Sequence, residues 1–223
     1  MDIVKSYDFF KPEDCPDTLH IIGCGAIGST LAENLVRYGL TNIVLYDFDT
    51  VEGHNIANQM YTEDDIGKPK VEALAEMLYK INPDLKGHIR LVPQGYVSQR
   101  LTGYVFLCVD NIDLRREIAQ KNVGNPFIKG MFDFRMRLTD AQHYAADWSN
   151  PKMVENFLNT MDFTHEEAAQ ETPVSACNLT LSVCSTVRMI VSYGVSNFVN
   201  FVKTQNIKKM ILADAFSYQV IAF

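Results

Sequence analysis

The chain has 223 residues, is 47% hydrophobic, and carries 27 acidic against 20 Lys and Arg residues for a net charge of −7. That is enough apolar material for one well-filled core, and the acidic balance disfavours a nucleic-acid backbone as partner. No stretch near the N-terminus has the apolar core of a signal peptide, and the apolar run 179–202 is interrupted by Ser182, Arg188, Asn197 and Asn200, so no membrane span is expected. Five cysteines at 15, 24, 108, 177 and 184 include no Cys-x-x-Cys pair, and the five histidines are scattered. This pattern predicts neither a disulfide framework nor a zinc site, and fits a reducing, cytoplasmic compartment.

In chain order, Leu19–Ile22 predicts a buried strand ending at Gly23, and Ile27–Tyr38 a helix stopped by Gly39. Ile43–Tyr46 follows as a strand, Lys68–Ile81 as a helix with Pro83 beyond it, His88–Val92 as a weaker strand, Tyr104–Val109 as a buried strand, and Leu114–Lys121 as a helix. This alternation predicts an α/β, Rossmann-like, mostly parallel sheet with helices on both faces. The second half is less regular and predicts mixed strands. Strand is expected within Phe127–Leu138, with Met136–His143 running on from it. Asn150-Pro151 reads as a helix start, residues 145–175 as a polar excursion, Ala176–Phe201 as mostly helix, and Met210–Ala213 and Ser217–Ile221 as late strands. The expectation is a single nucleotide-binding domain over residues 1–223.

Gly23-Cys24-Gly25-Ala26-Ile27-Gly28 matches G-x-G-x-x-G in the strand–turn–helix context the motif requires. The glycines permit a tight turn, close approach of phosphate to backbone, and helix-on-strand packing, with helix-start N–H groups facing the anion. Asp47 ends the next strand, where its carboxylate can accept hydrogen bonds from ribose hydroxyls. The loop alone does not separate NAD from ATP, and by itself it would default to an NAD-dependent oxidoreductase.

The residues that follow narrow the choice. Asp47-Phe48-Asp49-Thr50-Val51-Glu52, then Asn55 and Gln59, then Gly67-Lys68-Pro69-Lys70, Ile81-Asn82-Pro83, and Asp110-Asn111 with Arg115 appear in this order. Here the chain resembles the ThiF/MoeB/ubiquitin-activating superfamily, from about Leu19 to Ala119. The resemblance implies ATP-dependent adenylation of the C-terminal carboxylate of a ubiquitin-like or sulfur-carrier protein, with ATP and Mg²⁺ as cofactors and a homodimer or heterodimer as the working form. It assigns Gly23, Gly25, Ala26, Gly28, Asp47, Asp49, Asn55, Gln59 and Lys70 to nucleotide binding. Lys70 and Asp110 are assigned to catalysis, Asp110 acting through Mg²⁺. Taken singly, each has a structural alternative: Lys70 as a solvated helix lysine, Asp110 as the cap of the helix that follows, and Asn55 and Gln59 as loop residues.

One position departs from the pattern: Asn58 stands where the family carries arginine. Such an arginine offsets charge on the outgoing phosphates, so Asn58 raises the alternative of a non-catalytic nucleotide-binding subunit in a heteromeric activating complex. Arg135, Arg137, Lys68 or another protein are the candidate substitutes. The zinc-binding cysteine pairs of many relatives are also missing. Cys177, ahead of the long apolar helix, is the candidate acyl acceptor, its structural alternative being a half-buried helix-start residue. Cys24, Cys108 and Cys184 are expected to be packing residues. A long apolar helix that one small sheet leaves uncovered would favour association of two chains.

Overall fold

The computed structural model describes residues 1–171, 174 and 181–223, with the backbone alone at Glu171. A short N-terminal helix α1 (Val4–Tyr7) precedes β1 (Leu19–Ile22), α2 (Ala26–Arg37), β2 (Ile43–Tyr46), α3 (Lys70–Ile81), β3 (Arg90–Val92), β4 (Gly103–Leu107) and α4 (Ile112–Lys121). Then come β5 (Ile128–Arg137), β6 (Asp140–Asp147), α5 (Pro151–Asn159), α6 (His165–Glu171), α7 (Cys184–Thr204), β7 (Met210–Asp214) and β8 (Gln219–Ala222). Among the described residues eight strands form one sheet in the order β3-β2-β1-β4-β5-β6-β7-β8. The pairings from β3 to β5 are parallel and those from β5 to β8 antiparallel. The fold is thus the expected Rossmann-like sheet with a mixed C-terminal half.

Strands β1, β2 and β4 are buried along their whole length because helices cover both faces. On one face Leu31 and Leu35 of α2, Leu74 and Leu78 of α3, and Val187, Val191 and Phe198 of α7 share a core with Phe106, Phe132 and Phe134. On the other, Ile118 of α4 and Val154 and Phe157 of α5 meet Val105, Leu107 and Met131. The segment expected as a polar excursion therefore begins on β6 and lays α5 on the sheet. Asn150 caps α5 by accepting the N–H groups of Lys152 and Met153 at 3.1 and 3.2 Å, as Asn-Pro implies.

Three expectations are corrected. Met136–His143 does not continue one strand: Leu138, in the left-handed region at φ 46°, and Thr139 turn the chain so that Arg137 pairs with Asp140. The long helix runs from Cys184 to Thr204, covering most of the span expected to be helical, of which residues 175–180 lie outside the described residues; Cys184 is exposed, not packed. Most apolar residues of α7 are covered within the chain, Tyr193 and Cys184 being the exposed ones. Its outward side is polar, with Ser185, Arg188, Ser192, Ser196 and Asn200 exposed, which removes the uncovered helix as a reason for two chains to associate.

Beneath α7, His143 is fully buried against Phe132 and Phe134, and its ring nitrogens meet the Asp133 carbonyl at 3.1 Å and Asn197 at 3.1 Å. Burial pushes its pKa down to about 4, and His20, buried beside the Tyr46 hydroxyl, likewise to about 4. An unfolded histidine titrates near 6.5. Between these values the unfolded chain binds the extra protons, so stability is full above about pH 6.5 and is lost as pH falls toward 4. Denaturant unfolding at a series of pH values should show that decline, and a flat profile from 6.5 to 4 would contradict it.

Gly194 supplies a second test. A helical glycine replaced by alanine usually gains up to about 1 kcal/mol. Here a Cβ would lie 2.5 Å from Phe134 Cζ and closer still to Cε1, against a ring with no exposed surface in which to yield. Gly194→Ala should instead destabilise by about 1–3 kcal/mol in urea unfolding.

Candidate functional site

The C-terminal ends of β1, β2 and β4 and the β5–β6 hairpin surround a cavity of about 660 Å³. This is the location where open α/β sheets bind ligands. At its floor, Gly23 turns the chain at φ +96°, and a Cβ there would lie 2.8 Å from both the Cys108 carbonyl carbon and the Val109 nitrogen. A Cβ on Gly28 would collide with the Gly23 carbonyl oxygen, so α2 rests directly on the strand that feeds it. Beside Gly25, by contrast, a Cβ would meet nothing within 4 Å, which leaves room over the helix start. Gly25 and Ala26 are both on the cavity wall, and the first-turn N–H groups of α2 lack partners within the helix.

Asp47 couples the loop to the neighbouring strand. Its Oδ2 accepts the Cys24 N–H at 2.6 Å and its Oδ1 the Asp49 N–H at 2.9 Å. Burial pushes its carboxyl above the ordinary range, opposed by these two N–H bonds and by the charge of Lys70. Asp49 in turn accepts the Lys70 ammonium at 2.8 Å and, through its carbonyl, the Lys70 N–H at 2.9 Å. Lys70 is therefore not a solvated helix lysine: it is buried at the start of α3 and on the cavity wall. The Tyr61 hydroxyl ties the assembly together by donating to the Cys24 carbonyl at 2.6 Å and approaching the Lys70 carbonyl at 3.3 Å. Tyr61 carries no motif and is identifiable only once the loop and α3 are seen side by side.

The remaining predicted residues divide. Asp110 is exposed on the wall and does not cap α4; Asn111 does, accepting the Leu114 N–H at 3.0 Å. Gln59 is on the wall, and its buried Oε1 has no hydrogen-bond partner among the described residues. Asn55 is buried away from the cavity, where its Oδ1 accepts the Glu52 N–H at 2.9 Å and closes a short turn. Asn58 is on the wall and donates to Ser182 Oγ at 2.7 Å. Cys24 and Cys108 are buried with thiols pushed well up by burial, as packing residues should be. Cys177 lies outside the described residues. Phe48 and Tyr96, which the sequence did not single out, flank the end of the cavity nearest Asp47, with Phe48 75% exposed.

Among the described residues, no group of three or more His, Cys, Asp or Glu is placed to hold a metal by itself. A magnesium ion beside a polyphosphate takes one or two carboxylates and completes its shell with phosphate oxygens and water, a role that Asp110 fits.

Comparison with known proteins gives the family and the fold. The ThiF family model matches residues 18–219, and the chain belongs to that family. It is 32% identical over 134 residues to ubiquitin-like modifier-activating enzyme 5 of Drosophila persimilis, a match covering 53% of this chain and 34% of the relative. The enzyme of the same name in Drosophila willistoni is 40% identical over 86 residues, covering 39% and 20%. The matches thus span about a third of those relatives' length at most. Among solved structures, Escherichia coli MccB crystallised with ATP shares the fold at TM-score 0.75 and 15% identity, over 95% of this chain and 65% of MccB. PaaA does so at 0.69 and 16%, over 100% and 68%.

Beneath the wall, Arg115 is buried and donates to the Asp133 carboxylate, to the Phe134 carbonyl at 2.6 Å and to the Val109 carbonyl. It pins the exit of β4, where Asp110 stands, to β5. Removing Arg115 takes one of two cations from buried Asp133, which keeps Arg135 at 2.6 Å, and a donor from two carbonyls, so the cost falls below that of a fully stranded charge, at about 1–3 kcal/mol. Arg115→Ala should show that loss in denaturant unfolding, and a change below about 1 kcal/mol would contradict the assignment.

Proposed function

We propose that this ThiF-family chain binds MgATP in the cavity and adenylates the C-terminal carboxylate of a ubiquitin-like or sulfur-carrier protein. The observation that carries the reading is the joint placement of Gly23, Gly25, Asp47, Lys70 and Asp110 around one cavity. The sequence likeness to ubiquitin-like modifier-activating enzymes over the same segment, and the fold shared with an ATP-bound MccB, support it.

In the proposed arrangement Phe48 and Tyr96 flank the base, Asp47 accepts the ribose hydroxyls, and the helix-start N–H groups with Lys70 face the phosphates. Asp110 holds magnesium, which when bound offsets phosphate charge. The carrier's carboxylate oxygen attacks the α-phosphorus, the bond to the bridging oxygen breaks, and pyrophosphate leaves with that oxygen's electron pair. Such a reaction asks the protein chiefly for alignment and charge compensation. Asp49 contributes by fixing the Lys70 ammonium before reactants arrive.

Neutral Asn58, hydrogen-bonded to Ser182, favours the second reading, a nucleotide-binding subunit that has lost the reaction. The two readings are separable. Calorimetry should show MgATP binding with no comparable affinity for NAD; tighter binding of NAD would overturn both. With a carrier ending in Gly-Gly, the chain should exchange pyrophosphate into ATP, and Lys70→Ala and Asp110→Ala should each lower exchange by about a hundredfold. MgATP binding without exchange, unrescued by Asn58→Arg, would select the non-catalytic subunit.

A further inference from the structure

Two N–H groups of the β1–α2 turn are spent inside the fold. Gly23 N–H donates to the Tyr46 carbonyl at 2.8 Å and Cys24 N–H to Asp47 Oδ2 at 2.6 Å. Gly25 is the first residue of the turn whose N–H has no hydrogen-bond partner among the described residues, and it is on the cavity wall. The direction of that N–H is set by one peptide unit, Cys24–Gly25. The unit is trans, so its carbonyl and its N–H point in opposite directions. The carbonyl is taken by the Tyr61 hydroxyl at 2.6 Å. Tyr61 is buried in the core with Cys24 and Ile27 and does not line the cavity. The Gly25 N–H therefore faces away from Tyr61. Turning this peptide over about its Cα–Cα axis would carry Gly25 from φ −71° into the positive range, which glycine takes readily. The flipped unit would set a carbonyl oxygen, not an N–H, toward a bound anion.

Resting on the ATP-binding reading above, we propose that Tyr61 is a positioning residue: its hydroxyl holds the Cys24–Gly25 peptide against this flip, so that the Gly25 N–H meets the phosphates of the nucleotide. Tyr61 is itself fixed through both neighbours. Met60 N–H donates to Ser29 Oγ of α2 at 3.2 Å, and Thr62 N–H to Asp65 Oδ2 at 2.9 Å. The same hydroxyl lies 3.3 Å from the Lys70 carbonyl, where α3 starts. One buried oxygen thus sets the spacing between the turn's N–H donor and the residue that carries the Lys70 ammonium. Phenylalanine at position 61 would fill the same space and leave the Cys24 carbonyl without its donor. An unpaired buried carbonyl is costly, so the peptide would then turn toward any other partner it can reach.

The test compares MgATP with adenosine, which shares the base and ribose but carries no phosphate. By calorimetry Tyr61→Phe should weaken MgATP about tenfold and leave adenosine unchanged, a split that a general loosening of the site would not produce. In the wild type, the Gly25 amide resonance should shift when MgATP is added and stay in place with adenosine, a readout independent of how well the variant folds. Unchanged MgATP binding in Tyr61→Phe, an equal loss of both ligands, or a Gly25 amide indifferent to MgATP would overturn the role while leaving the ATP-binding reading intact. A wild-type chain that binds no MgATP would overturn that reading and the role of Tyr61 with it.

Discussion

Everything in the site depends on the contact between the β1–α2 turn and the end of β4. With no Cβ at Gly23 or Gly28, the turn lies directly on the Cys108–Val109 peptide and α2 on the Gly23 carbonyl. That closeness sets the Cys24 N–H within 2.6 Å of the Asp47 carboxylate and its carbonyl within 2.6 Å of the Tyr61 hydroxyl. Three consecutive pieces of the fold, the loop, the β2 exit and the start of α3, are thereby locked before any ligand arrives. A site that asks for charge compensation benefits from this fixity, since donors held in place need no reorganisation during reaction.

A second consequence concerns the C-terminal half. The parallel half supplies the glycine-turn end of the cavity, but another part of its wall comes from the antiparallel hairpin β5–β6. Arg115 joins the two halves by bonding both the β4 exit and β5. Arg135 ties the same strand to the loop after α5 through Thr160. The hairpin is thus a wall braced by buried charge pairing as well as by apolar packing.

The parallel half was legible in the sequence because its signals are local. Leu19–Ile22 and Ile43–Tyr46 were found at their true ends, since buried strands read as unbroken apolar runs bounded by Gly or Asp. The turn at Leu138 was not legible, because Leu-Thr is no turn signature and the reversal is imposed by pairing across the hairpin. The exposure of Cys184 was not legible either, because packing decides which side of the first turn of a helix faces solvent. Within the site, motif order brought Lys70 and Asp110 to the wall, while Asn55 fell behind it. Tyr61, Phe48, Tyr96 and the bracing role of Arg115 depend on contacts between distant segments, which spacing does not record.

The most direct measurement is a crystal structure with magnesium and a nonhydrolysable ATP analogue. The account predicts ribose hydroxyls on Asp47 and phosphates over the turn from Gly23 to Gly28 within reach of Lys70. An analogue bound elsewhere, or seated with its phosphates away from the glycine turn, would contradict it.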